Sequence, residues 1–171
     1  TLQTPESFFT RFRVNMKVRH EVTEIHPEKK TVSVKNLKTG EEFEESYDKL
    51  ILSPGAKPTQ PRFSGTELDK VFTLRTVEDT LRIKKYINQN HPKSVVLAGG
   101  GFIGLELAEN LRELGMDVTI VQNGKQLMNL FDHDMASFIH NEMRKHGVKL
   151  ALGHTVEGFE DRDGGVDVLL K

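Results

Sequence analysis

The chain has 171 residues, of which 36% are hydrophobic and 29% charged, with a formal net charge of −1 and no cysteine. This balance suits one globular domain or two small ones, and it provides neither a basic surface for nucleic acid nor an apolar run of the roughly 20 residues that cross a bilayer. We therefore expect a cytoplasmic protein with no nucleic-acid or membrane partner, no disulfides and no thiolate metal site.

The first half of the chain predicts a short helix followed by strands. Thr4-Pro5-Glu6 offers an N-cap hydroxyl, a proline at the first helical position and an acid near the positive helix end. Apolar residues then alternate with polar ones, a pattern typical of strands. The predicted strands lie at Val14 to Val18, Val22 to Ile25, Val32 to Val34 and Phe43 to Tyr47.

The second half predicts helices that alternate with strands. Thr76-Val77-Glu78-Asp79 has the pattern of a capping box, and it precedes an amphipathic helix to about Asn90. Val95-Val96-Leu97-Ala98 is typical of a buried parallel strand. Helices are expected after the glycines that follow and after Asp132, and further strands at Val118 to Val121, Val148 to Leu152, Val156 and Val166. This order indicates an α/β fold with a parallel sheet and an antiparallel meander.

The two halves repeat each other at a distance of 134 residues. Equal spacings favour a true repeat over a chance match between alternating strands. The pairs are Val14 with Val148, Met16 with Leu150, Val18 with Leu152, Val22 with Val156, Ile25 with Phe159, Val32 with Val166 and Val34 with Val168. We therefore expect parts of two similar nucleotide-binding domains, in a chain that starts and ends mid-domain.

The motif that carries most chemistry is Gly99-Gly100-Gly101-Phe102-Ile103-Gly104, which fits G-x-G-x-x-G between a strand and a helix. Gly99 permits a tight turn, Gly101 leaves room for a pyrophosphate, and Gly104 lets helix and strand pack closely. Amide groups at the helix start would face the phosphates. The alternative is a glycine-rich turn without a ligand.

Three further residues near this motif are candidates for a role. Gln122 ends the next strand, where a carboxylate would bind the ribose of NAD; a glutamine bonds a hydroxyl but does not repel the 2′-phosphate of NADP, so NAD(H) is only slightly favoured. Glu106 is equally explained by charge complementarity at a helix start, and Phe102 by ordinary packing.

Two histidines are candidate metal ligands. His20 and His154 are equivalent in the repeat, but lone histidines at strand ends are more often structural, so we expect no metal site.

These motifs, taken in order, resemble the pyridine nucleotide-disulfide oxidoreductases, in the branch with coenzyme A-disulfide reductase, NADH oxidase and NADH peroxidase. Three stretches carry the resemblance: His20 to Leu37, Tyr47 to Pro58, and Val95 to Glu109. The resemblance covers essentially the whole chain. It implies that residues 1–75 are the trailing part of an FAD domain and that residues 76–171 are a NAD(P)H domain lacking its last strand.

The resemblance also implies roles for individual residues. NAD(P)H would bind at Gly99 to Gly104 and pass a hydride to FAD, which would reduce a disulfide such as coenzyme A disulfide. Phe102 would be an aromatic that moves aside for nicotinamide, with Ile103 and Glu106 on the nicotinamide side. Val22 would lie near the FAD adenine, and Ser53, Pro54 and Gly55 near the flavin. The whole protein would act on a small-molecule substrate as a homodimer.

The chain also departs from the family pattern. It lacks the first FAD glycine loop and the redox cysteine, which we expect upstream, and Gln122 replaces the usual acid. The segment alone is therefore expected to be inactive and to contain no catalytic residue. Two alternatives stay open: a related enzyme that passes electrons to oxygen, peroxide, ferredoxin or rubredoxin, and a non-enzymatic NADH-sensing module.

Overall fold

The computed structural model describes residues 3–59 and 63–171. The chain divides into two compact units, Thr1–Gly55 and Ala56–Lys171. Every helix within the described residues is too short or too polar to cross a lipid bilayer. The predicted α/β class is confirmed, because a parallel sheet coexists with antiparallel strands and helices.

The first unit contains one helix and a three-stranded antiparallel sheet. Helix α1 (Pro5–Phe12) begins as predicted at Thr4, whose hydroxyl accepts the N–H of Ser7 at 3.2 Å. The strands pair in chain order, and they are β1 (His20–His26), β2 (Thr31–Asn36) and β3 (Glu42–Ser46). Val32 and Val34 of the central strand β2 are buried. These three strands confirm three of the four that were predicted in this half.

The strand predicted at Val14 to Val18 is wrong. Residues 13–17 have no regular structure, and the side chains of Val14, Met16 and Val18 are 46%, 45% and 56% exposed. A strand needs a neighbour to satisfy its backbone groups, and these residues pair with no strand of the described chain. Arg19, at φ 57°, turns the chain directly into β1.

The second unit is built on a parallel sheet with strand order β4-β5-β6, followed by the antiparallel hairpin β7-β8. Its helices and strands agree with the sequence prediction to within a few residues. They are α2 (Val77–Asn90), β4 (Ser94–Ala98), α3 (Phe102–Glu113), β5 (Asp117–Gln122), α4 (His133–Lys145), β6 (Lys149–Leu152), β7 (Val156–Arg162) and β8 (Gly165–Leu170).

The core of the second unit lies around the central strand β5. Val118 and Ile120 are fully buried, and Ala108 and Leu111 of α3 pack into the same cluster. Strand β4 is less buried than its composition predicts, with Val96 41% exposed. Burial alternates along β4, because Val95 and Leu97 pack against the core while Val96 points to the opposite, less covered face.

The two antiparallel hairpins preserve the predicted repeat. Strand β8 lies 134 residues after β2 at both ends, and each hairpin has a register shift at the equivalent place, between Val22 and Glu24 and between Val156 and Gly158. The repeat does not extend to Val14–Val18, because that segment is not a strand although its counterpart β6 is one.

The segment before α2 contacts the β7-β8 hairpin of the second unit. Lys70 Nζ lies 2.7 Å from Asp161 Oδ1.

Candidate functional site

The turn between β4 and α3 depends on glycine at two positions. Gly99 has φ +120°, which disfavours other residues, and its N–H donates to the carbonyl of Val121 at 2.8 Å. A Cβ added at Gly104 would lie 2.1 Å from the Gly99 carbonyl oxygen. The close approach of helix and strand expected at Gly104 is therefore present.

Gly101 is different, because the protein itself does not require a glycine there. Its φ of −89° is open to any residue, and an added Cβ would meet no atom within 4 Å. Gly101 is the N-cap of α3, yet no side chain caps this helix and its first turn contains no acid. The space above the helix start is thus left open by the residues that the structure describes.

The backbone N–H groups at this helix start are donors that the described chain leaves without an acceptor. The first N–H groups of any α-helix have no intrahelical partner. The first helical bond of α3 here runs from Leu105 N–H to the Gly101 carbonyl, at 3.0 Å. For the N–H groups of residues 101–104, no acceptor is found within residues 3–59 and 63–171. Free donors and the helix dipole together favour an anion.

Gly100, in the middle of the turn, is buried and held on three sides. Its N–H donates to Gln122 Oε1 at 3.0 Å, and its carbonyl accepts the N–H of Met128 at 2.8 Å. A Cβ at Gly100 would lie 2.3 Å from Leu127 Cδ2. The sequence predicts that Gln122 contacts a ribose. In this structure its side-chain oxygen is bonded to the glycine loop.

Sequence reasoning missed three residues that support this turn: Leu127, Met128 and His140. Leu127 and Met128 lie in the segment after β5, and both are buried. His140 lies on α4, and its Nε2 accepts the N–H of Leu127 at 2.9 Å. One signal was available: a histidine occupies a position on the apolar face of α4, four residues after the buried Ala136.

The other predicted site residues lie in exposed positions. Phe102 and Ile103, in the first turn of α3, are 62% and 51% exposed, and Glu106 is exposed one turn further on. Val22 is 55% exposed on β1 of the first unit. Ser53, Pro54 and Gly55, at the end of that unit, are exposed and without regular structure. Within the second unit, Gln122 is the predicted site residue from outside the motif that bonds to the glycine loop in the described structure.

Neither candidate histidine is part of a metal site in the described structure. His20 Nδ1 lies 2.9 Å from the carbonyl oxygen of Val18, and its ring packs edge-on against Phe43. Residues 3–59 and 63–171 contain no group of three or more histidine, aspartate or glutamate side chains able to hold a metal ion. Two cavities, of about 220 and 560 Å³, lie elsewhere and include no residue of the glycine loop.

The comparison with known proteins fits this geometry. The model of the family described as pyridine nucleotide-disulphide oxidoreductase matches residues 5–171. The chain belongs to this family. The family resemblance predicted from the sequence motifs is therefore confirmed, and the Rossmann-type arrangement of β4, α3 and β5 is the part of the family fold that contains the glycine turn.

Several relatives in the family are similar along most of this chain. A coenzyme A disulfide reductase of Staphylococcus aureus is 41% identical over 160 residues, which cover 94% of this chain and 36% of that protein. The reduced CoADR-RHD of Bacillus anthracis is 44% identical with a TM-score of 0.86, covering 99% of this chain and 30% of that one. The water-forming NADH oxidase of Lactobacillus brevis, solved with NADH bound, is 33% identical with a TM-score of 0.80, covering 99% and 37%. The chain thus spans about a third of each relative's length.

Proposed function

We propose that the second unit binds the pyrophosphate of NAD(P)H at the start of α3. The observation that carries the proposal is the combination at Gly101: an uncapped helix start, unpaired amides and an empty β-position. A pyrophosphate has the charge and the oxygen acceptors that these donors lack. The NADH-bound oxidase of Lactobacillus brevis, a relative with the same fold over 99% of this chain, supports the proposal.

The whole protein is proposed to be an FAD-dependent oxidoreductase. When bound, the cofactors supply the chemistry, in which a hydride passes from NAD(P)H to FAD and electrons pass on to a disulfide such as coenzyme A disulfide. The 41% identity to coenzyme A disulfide reductase supports this acceptor. The chain has no cysteine, so a redox cysteine would lie outside these 171 residues. A homodimer in the cytoplasm belongs to the same proposal.

The residue roles are proposed on the family pattern together with exposure. Phe102 is a large aromatic left 62% exposed at the first position of α3, as suits a side chain that moves aside for nicotinamide, and Ile103 and Glu106 would flank the same ring. In the FAD part, proposed for residues 1–75, Val22 would lie near adenine and Ser53, Pro54 and Gly55 near the flavin. The NAD(P)H part is proposed for residues 76–171.

The proposed role of Gln122 leaves the choice between NADH and NADPH to experiment. Because the Gly100 N–H is donated to Gln122 Oε1, the other branch of this side-chain amide is the NH2 group, which is a donor. A donor without charge bonds a ribose hydroxyl oxygen and does not repel a 2′-phosphate. Titration of the unaltered chain with NADH and, separately, with NADPH decides between the two, and the dinucleotide bound more tightly is the proposed cofactor.

One alternative acceptor is supported by a specific observation. The water-forming NADH oxidase is 33% identical along 99% of this chain, so oxygen is a second candidate acceptor. The whole protein would distinguish the two: NADH oxidation that needs coenzyme A disulfide supports the reductase, and NADH oxidation that needs only oxygen supports the oxidase.

The binding proposal is tested by Gly101→Val in the full chain. The added side chain meets open space in the protein but fills the place of the pyrophosphate, so we expect saturable NADH binding to be lost while the unfolding midpoint stays unchanged. Gly165→Val is the matched control, because a Cβ there also meets nothing within 4 Å and the position lies on β8. Unchanged NADH affinity in Gly101→Val would show that the pyrophosphate binds elsewhere.

A further inference from the structure

A buried histidine supports the glycine turn from behind. His140 on α4 is 6% exposed and lies one helical turn after Ala136, which is fully buried on the same face. Its Nε2 accepts the N–H of Leu127 at 2.9 Å, and Leu127 is itself fully buried. A buried backbone N–H requires an acceptor, and the nearest turn of α4 supplies one from a side chain.

The same segment bonds the glycine turn. Met128, next to Leu127, donates its N–H to the Gly100 carbonyl at 2.8 Å, and Leu127 Cδ2 lies 2.3 Å from the place that a Cβ of Gly100 would take. Met128 has φ +50°, an unfavourable value for this residue type that persists only when its neighbours fix it. A continuous set of contacts therefore runs from His140 through Leu127 and Met128 to Gly100.

The protonation state of His140 suits this contact. Nε2 accepts a hydrogen bond only in a neutral imidazole whose proton is on Nδ1. Burial lowers the pKa of His140, and the electrostatic effects of Arg144 and then of His133 lower it further. The ring is therefore neutral near pH 7 and able to accept.

We propose that His140 is a positioning residue of the dinucleotide site. By fixing Leu127 and Met128 against Gly100, it holds the turn in the shape that directs the amides of residues 101–104 at one anion. The inference rests on the proposed NAD(P)H binding at this turn. It explains why a polar ring lies on an apolar helix face, where a leucine would bury as well but would leave the Leu127 N–H unpaired.

The test compares His140→Leu, which removes the acceptor, with His140→Gln, whose side-chain oxygen restores one. Val148→Ala is the control, because Val148 is 3% exposed in the same core and makes none of these contacts with the turn. We expect His140→Leu to weaken NADH binding by about tenfold, His140→Gln to bind more tightly than His140→Leu, and Val148→Ala to keep its affinity while its unfolding midpoint falls.

Two measurements without ligand separate this inference from the binding proposal. Amide hydrogen exchange at Gly100 and Leu127 should quicken in His140→Leu and stay slow in Val148→Ala. In the unaltered chain, nitrogen NMR should find His140 neutral with its proton on Nδ1, a result that does not depend on whether a variant folds. A proton on Nε2, or unchanged exchange at Gly100 in His140→Leu, would overturn the inference. Absence of NADH binding in the unaltered chain would instead overturn the proposed function, leaving exchange to decide whether His140 positions the turn.

Discussion

Two helices of the second unit begin in opposite ways. At the start of α2, the Thr76 hydroxyl accepts the N–H of Asp79 at 3.2 Å, and the Asp79 carboxylate accepts the N–H groups of Thr76 and Arg75 at 2.9 and 3.0 Å. At the start of α3, Gly101 offers no side chain, and no acid lies in the first turn. The chain satisfies one helix start with its own side chains and leaves the other free.

A side-chain cap requires only one residue, because a serine, threonine or aspartate at the N-cap position is enough. The absence of a side-chain cap alone does not mark a binding site, because Asp132 at the start of α4 also makes no side-chain cap bond within the described chain. The start of α3 differs in having neither a side chain at the N-cap nor an acid in the first turn, which fits the proposal that it binds an anion.

At α3, the other three glycines of the turn each have a structural reason. Gly99 has a positive φ, and a Cβ would meet buried Leu127 at Gly100 and the Gly99 carbonyl at Gly104. Only Gly101 lacks such a requirement, so the ligand is the better explanation for glycine at that position.

The largest effect on stability is expected for Gly104→Ala. Its new Cβ would lie 2.1 Å from the Gly99 carbonyl oxygen, so α3 must move away from β4. We expect the free energy of unfolding to fall by about 1–3 kcal/mol, with NADH affinity also reduced, as measured by urea unfolding and NADH titration.

The matched variant is Gly101→Ala, where nothing lies within 4 Å of the added atom. The free energy of unfolding should fall by less than about 1 kcal/mol, because glycine is only somewhat better than alanine at an N-cap. If both variants lost the same stability, the distinction between structural and ligand-facing glycines would be wrong.

A smaller effect is expected at the capped helix, from Thr76→Ala. The substitution removes the acceptor of the Asp79 N–H, and loss of an N-cap side chain costs about 1 kcal/mol. Urea unfolding should detect this loss, while NADH affinity should be unchanged because no described residue of α2 hydrogen-bonds to the glycine turn. A fall in affinity would mean that α2 takes part in the dinucleotide site.

Much of the second unit was predictable because local patterns and tertiary structure agree. The capping box at Thr76 and the glycine motif after Ala98 both mark their helix starts correctly. The strand predicted at Val14 to Val18 failed because alternation does not specify a partner strand. Sequence patterns describe one element at a time, and strand pairing depends on a second element.

The support behind the glycine turn was unpredictable for a similar reason. The contact between His140 and Leu127 joins residues 13 positions apart in different elements, and the bond from Met128 to Gly100 joins residues 28 apart. Nothing in the motif itself encodes them. For Gln122, the sequence indicated the correct place at the end of β5, but not that its oxygen bonds the turn.

The smallest predicted effect is a dependence of stability on pH that arises from Asp79 at the start of α2 and has no counterpart at the start of α3. The N–H groups of Thr76 and then Arg75 hold the pKa of Asp79 below its ordinary value. A lowered carboxyl pKa adds stability that is fully present above the ordinary aspartate value and is lost as pH falls through the value in the folded protein. The stability gap between the unaltered chain and Asp79→Asn should therefore narrow between about pH 6 and about pH 3.

Urea unfolding across this pH range measures that gap, and the effect should be small because an exposed carboxylate is screened by solvent. Glu109→Gln, a change at an exposed acid of α3 beyond its first turn, removes the same charge away from a helix start and is the control against which the narrowing is compared. A gap that stays constant with pH would mean that Asp79 caps α2 through its shape alone. The charge of Asp79 would then add nothing to the stability of the α2 start. The two helix starts would differ only in whether a side chain accepts their free N–H groups, and anion binding at α3 would depend on those N–H groups alone.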